Sequence, residues 1–241
     1  MLARFALLVL LATGARACLT YEYEHEFWLR VDGSGTVNVT GRPALWTAFK
    51  GAGDPRHPDD TATRDAAREL FARSGLRVRR ATLTRRGGHP YLSVSADFTD
   101  VNALSGTAAF PDLAIVLRRT GNRLRLEGTW ARPPDAPDVG GRDREGLMAV
   151  RFHLPSKLYE QNAEDGVERG NILSWRQPVT EALEGRELGF GALMDERSIL
   201  LSTVLLFGAA ILGALAVLAS IFWAVVRRGR RDLAAEKTTN A

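Results

Sequence analysis

Residues 198–226 carry no charge, and the run from Ile199 onward reads Ile-Leu-Leu-Ser-Thr-Val-Leu-Leu-Phe-Gly-Ala-Ala-Ile-Leu-Gly-Ala-Leu-Ala-Val-Leu-Ala. As a helix rising 1.5 Å per residue, that stretch is about 42 Å long, against roughly 30 Å for the hydrocarbon core of a bilayer. In lipid each backbone amide must find its partner inside its own segment, so the run predicts one transmembrane helix over 198–226. Asp195 and Glu196 precede it, and Arg227, Arg228, Arg230 and Arg231 follow at once. Basic residues stay on the cytoplasmic side, which predicts a cytoplasmic basic tail over 227–241.

The opposite end agrees. Arg4, an apolar run over 5–12 and Ala15-Arg16-Ala17 have the order of an export signal with its cleavage pattern, predicting a signal peptide over 1–17. Its apolar run is too short to span a bilayer, which takes about 20 residues. Together the two ends predict an extracytoplasmic domain over 18–197 in a single-pass protein of a bacterial plasma membrane. Cys18 is the only cysteine and directly follows the expected cleavage point, so no internal disulfide can form. Two readings of Cys18 stand side by side: lipidation, as on a bacterial lipoprotein, or an ordinary cleavage site that happens to precede a cysteine.

Net charge sharpens the function classes. The chain carries +4, but residues 19–197 hold 25 Lys or Arg against 26 Asp or Glu. The positive excess lies at the membrane-facing ends, which argues against nucleic acid as a partner.

Within 18–197 the patterning is mostly period two. Tyr21, Tyr23, His25, Phe27 and Leu29 alternate with Glu22, Glu24, Glu26 and Arg30, which predicts a strand with one apolar face. Asp32-Gly33-Ser34-Gly35 turns it into a partner strand at 36–40. A Gly, Pro and Asp-rich loop leads to an amphipathic helix over 60–73, with Ala66, Ala67, Leu70 and Phe71 inward and Gly75 as its stop. Strands follow at 76–85 and 91–98, then a short helix from Asp100 with Val101 and Leu104 inward, then a hairpin of 113–119 and 123–130. Residues 132–146 read as a long loop. Beyond it, strands are expected at 147–154 and 172–175, an extended segment at 157–163 and a last strand at 187–193. The sum is an α+β fold: an antiparallel sheet of hairpins with one or two helices packed on one face, plus the C-terminal transmembrane helix.

Three segments carry a family likeness. They are Val150-Arg151-Phe152-His153-Leu154-Pro155-Ser156-Lys157, Glu160-Gln161-Asn162-Ala163 and Gly170-Asn171-Ile172-Leu173-Ser174-Trp175. A strand ending in Pro, an Asn-containing turn and a short strand closing on Trp, framed by an export signal and a C-terminal span, resemble the LppM-like bacterial envelope lipoproteins. Ser156, and Ala15 and Arg16 before the cysteine, depart from that pattern. The resemblance implies an envelope protein with a lipid-related or host-surface-related role and no catalytic residues to carry over.

Residue chemistry points away from catalysis. No G-x-S-x-G, Walker A or dinucleotide fingerprint occurs, so the reading is a non-enzyme without a cofactor. His25, His57, His89 and His153 lie in no metal-binding spacing, and no metal is expected. Glu22, Glu24 and Glu26 read as a solvated strand face, and Asp54, His57, Asp59 and Asp60 as a solvated loop; a cation held by oxygen ligands is the sharper alternative for each. Arg77, Arg79, Arg80, Arg85 and Arg86 form a basic cluster, a candidate contact for anionic headgroups or a polyanionic glycan. Two functions remain. The first is a membrane-anchored envelope protein binding a lipid or apolar ligand near the membrane surface. The alternative is a protein- or glycan-interaction module, with membrane lipid and other envelope proteins as partners.

Overall fold

A computed structural model describes residues 21–137, 144–164, 166–168 and 170–239. The signal peptide, Cys18 and the middle of the 132–146 loop lie outside the described residues, as do the side chains of Arg228, Arg230 and Arg231.

The α+β reading holds, with the strands divided between two sheets. The first contains β1 (Tyr23–Leu29), β2 (Gly35–Gly41), β3 (Arg77–Arg86), β4 (His89–Phe98), β7 (Leu147–His153) and β9 (Ile172–Pro178), in the order β3-β4-β2-β1-β7-β9. The second contains β5 (Leu113–Thr120), β6 (Arg123–Trp130), β8 (Ser156–Gln161) and β10 (Leu188–Ser198), in the order β5-β6-β10-β8. All pairings are antiparallel except β1 with β7, where Phe27 sits opposite Phe152. The expected short helix after Asp100 is a single 3-10 turn, Val101–Ala103, started by the Asp100 carboxylate accepting from Asn102 N.

Helix α1 (Pro43–Lys50) falls where the composition suggested a loop. Its signals are local: Pro43 stands at the first helical position, and Gly51 closes the helix at φ 64°, a conformation open to glycine. Helix α2 (Asp60–Arg73) is the expected amphipathic helix, and the Asp59 carboxylate accepts from the Thr61 and Ala62 amides. Helix α3 (Val179–Leu183) is a single short turn before β10.

The inner face of the first sheet meets α2 over β3 and β4, and meets the second sheet through Phe152 and Trp175 against Phe190. The filling is aromatic. Phe27 stacks on Phe152 at 4.7 Å, Phe49 meets Trp130 edge-on at 4.8 Å, and Phe71 lies 5.4 Å from Phe110. Trp46 is fully buried, and its Nε1 donates to Leu92 O at 3.2 Å. Phe190 needs Gly128 opposite: a Cβ there would lie 2.4 Å from the ring, so this cross-strand pair admits no side chain.

Strand β10 runs directly into α4 (Ile199–Thr239). Its segment Thr203–Trp223 has a mean hydropathy of 2.6 and buries none of its side chains against the domain. The Arg227 guanidinium lies 4.9 Å over the Trp223 ring, the pairing expected at a membrane interface. The helix continues past residue 226, so the expected tail is helical to Thr239.

Candidate functional site

Strand β1 carries two polar constellations, one on each side. Inward, His25 faces a charged pair. Lys50, the last residue of α1, places Nζ 2.9 Å from Asp112 Oδ1 and donates to Ala109 O at 2.6 Å. Trp130 Nε1 donates to Asp112 Oδ2 at 3.0 Å. Both charged side chains are fully buried. Burial pushes the Asp112 carboxyl up and the Lys50 amine down, and each charge opposes the other's shift. His25 Nε2 lies 3.5 Å from Asp112 Oδ2, too far to count as a hydrogen bond, and neither imidazole nitrogen nor the Tyr23 hydroxyl has a partner. Burial and the Lys50 charge hold His25 well below the ordinary histidine range, so it is neutral. Lys, Asp, His and Tyr together have the residue types of a proton-transfer site. Here all four are buried in the core.

Outward, the alternate residues of β1 lie on the uncovered face of the first sheet. Arg151 on β7 donates to Glu24 Oε1 at 3.0 Å and to Ser174 Oγ at 3.1 Å, with Glu26 Oε1 at 3.5 Å. His153 Nε2 sits 2.8 Å from Glu26 Oε1. Glu22 takes Arg42 Nε at 2.6 Å and the Tyr91 hydroxyl at 2.5 Å. The Glu22, Glu24 and Glu26 side chains keep only 16–17% of their surface. This corrects the expected solvated strand face: β7, distant in sequence, brings Arg151 and His153 over it, and Arg42 joins them from the junction of β2 and α1. Desolvation pushes Glu24 up, opposed by its hydrogen bond from Arg151.

The middle of this face is a ladder of small polar side chains. Asn38 donates to Thr40 Oγ1, Thr40 to Ser93 Oγ, and Ser93 back to Asn38 Oδ1, at 2.8–3.1 Å. Beside it stands Trp28, 39% exposed and stacked on His153 at 4.7 Å.

The members of the basic cluster share the outer side of β3 except Arg85, and their surroundings differ. Arg77 and Arg79 both pair with Asp97, at 2.7 Å each. Their hydrogen bonds, Arg79 first, hold the Asp97 carboxyl down to about 2. Arg86 lies 5.0 Å over the Tyr91 ring. Strand alternation sends Arg85 to the other side of β3 from Arg80. In the 54–60 loop, His57 pairs with Asp54 at 3.0 Å and Asp59 caps α2, so that cluster is committed to local structure. Among the described residues, no group of three or more His, Cys, Asp or Glu side chains is placed to hold a metal ion.

Three depressions lined by described residues are open to solvent. One of about 330 Å³ lies on the second sheet beside Phe190 and Asn162, and one of about 600 Å³ lies around Arg30, Arg77 and Asp97. The third, of about 380 Å³, lies on the outer face between Trp28 and Arg80.

No family model matches the chain, and no curated protein does. A solved structure, the NMR structure of the folded domain of Mycobacterium tuberculosis LppM, is similar at 17% identity over 75% of this chain and 95% of that one, with a TM-score of 0.38. The likeness is distant and assigns neither ligand nor activity.

Proposed function

We propose that this chain is a non-enzymatic recognition module tethered to a bacterial plasma membrane, with the α+β domain outside, α4 spanning the bilayer and the basic tail in the cytoplasm. The contrast between the two sides of β1 carries the reading. The catalytic-looking residues are sealed in the core, while the open sheet face carries an exposed Trp, a hydroxyl and amide ladder and paired charges. An apolar ligand held inside the domain asks for a chamber. Among the described residues, the aromatic side chains that would line one pack on each other instead. Interaction at the polar face with envelope glycans or proteins therefore takes precedence over the enclosed-lipid reading.

A photo-cross-linking residue at Ser95, on the outer face, is expected to capture envelope material in cells. The same residue at Arg118, on the second sheet, is expected to capture little. Equal yields from both positions would remove the outer face from the proposal. Cys18 would supply a second tether if acylated; labelled palmitate should enter the protein and be lost in Cys18→Ala.

A further inference from the structure

The outer-face depression has the composition of a sugar site with one anion contact. Trp28 stands on β1 with one indole face against His153 of β7. Because β2 lies on the other side of β1, the second indole face borders the depression lined by Thr36, Asn38, Ser95, Arg79 and Arg80. An indole face is electron-rich and takes the electropositive axial C–H groups of a pyranose ring. Asn38 and Ser95 lie within the same depression to meet ring hydroxyls.

A bulge in β3 supplies the charge. The register shifts between Val78 and Arg80, so one extra residue enters the strand opposite Ser95. In a regular strand Arg79 and Arg80 would point to opposite faces; here both line the depression. Arg79 is committed to Asp97, whereas Arg80 has no ion-pair partner among the described residues. The site therefore offers one uncommitted guanidinium, whose planar fork matches a carboxylate. A dense polyphosphate is disfavoured, because Glu24, Glu26 and Asp97 stand on the same face and the domain as a whole is near neutral.

Resting on the outer-face reading above, we infer that Trp28, Asn38, Ser95 and Arg80 form a binding site for an acidic polysaccharide, a uronic-acid unit stacking on Trp28 with its carboxylate on Arg80. The test uses the full chain in detergent micelles, titrated calorimetrically with tetrasaccharides of hyaluronan, polygalacturonate and alginate, and with chitotetraose as a neutral control. At least one acidic tetrasaccharide should bind more tightly than chitotetraose. Trp28→Ala should weaken it about tenfold or more. Arg80→Gln, an exposed change that leaves the fold alone, should bring the acidic ligand down to the neutral control. If chitotetraose binds as well as the acidic sugars and Arg80→Gln changes nothing, the acidic assignment fails while the sheet face remains a binding surface. If no sugar binds but vesicles containing phosphatidylglycerol do, and Trp28→Ala releases them, the glycan inference is overturned and the outer-face reading survives. If Trp28→Ala alters binding of none of these and Ser95 cross-links nothing in cells, both fail.

Discussion

The two sides of β1 differ by one residue of register and by nearly everything in their physics. His25, pointing in, meets Lys50 and Asp112 with no water-exposed surface, so every charge there must be answered by another buried group. Glu24, Glu26 and Trp28, pointing out, meet Arg151 and His153 at the edge of solvent, at distances like those of the buried pair but with part of each side chain still in contact with water. The comparison shows that residue type alone does not mark a site. The cluster with the more catalytic composition is buried in the core, and the cluster of ordinary surface residues is the one that borders solvent.

The strongest way to break this distinction is to remove one member of the buried pair. Asp112→Ala leaves the Lys50 ammonium and the Trp130 N–H without their shared acceptor. The expected loss is about 3–5 kcal/mol, read as a lowered urea midpoint by tryptophan fluorescence. The double change Lys50→Met with Asp112→Leu should recover only the part due to the stranded ammonium, because the Trp130 N–H and the Ala109 carbonyl still lack their buried partners. A loss under about 1 kcal/mol for Asp112→Ala would mean the pair is not sealed.

On the outer face the corresponding change is Arg151→Met. It leaves Glu24 and Glu26 side by side, partly buried and of like charge. Their remaining exposure lets water compensate, so the expected loss is smaller, about 1–3 kcal/mol in the same measurement.

Much of this arrangement is legible in the sequence, and the gaps have physical reasons. The alternation of Tyr23, His25, Phe27 and Leu29 with the three glutamates places each residue on its correct side, since strand period is a local property. The hairpin of β5 and β6 and the capped α2 are local in the same way. The parallel pairing of β1 with β7 is not, because it joins segments separated by most of the domain, and it alone brings Arg151 and His153 to the glutamates. Without that pairing the glutamate face reads as solvated. The Lys50 and Asp112 pair was invisible for the same reason: nothing around either residue announces the other. The β3 bulge is a third case, since the run Arg77-Val78-Arg79-Arg80 reads as a regular strand until its partner's register is known.

Acid separates the two sides by pH. Burial and the Lys50 charge depress His25 in the folded state, while the unfolded chain titrates near the ordinary value of about 6.5. As pH falls below that value, the unfolded state takes up a proton that the folded state refuses. The His25 contribution is therefore intact above about pH 6.5 and declines below it, by up to about 1.4 kcal/mol per pH unit. Asp97 on the outer face acts later: its folded pKa is about 2 against an ordinary 3.8, so its contribution is full above that value and is lost as pH falls through about 2. Stability measured from pH 8 to pH 2 should show the first decline vanish in His25→Leu, and the second diminish in Asp97→Asn. An unchanged first decline in His25→Leu would assign it to another group.

The smallest effect is also the most discriminating for the inner face. The Tyr23 hydroxyl is fully buried with no hydrogen-bond partner, so it adds a desolvation cost without a compensating bond. Tyr23→Phe keeps the ring against Phe49 at 4.9 Å and removes only the oxygen. Stability should be unchanged or rise by up to about 1 kcal/mol in urea denaturation. A loss of more than about 1 kcal/mol would show that the hydroxyl has a partner after all, which would draw Tyr23 into the Lys50 and Asp112 network. The buried cluster would then be a hydrogen-bonded network that includes Tyr23, with at least one His25 ring nitrogen still unanswered. Its sealing from solvent, and so its contrast with the outer face, would stand on firmer ground.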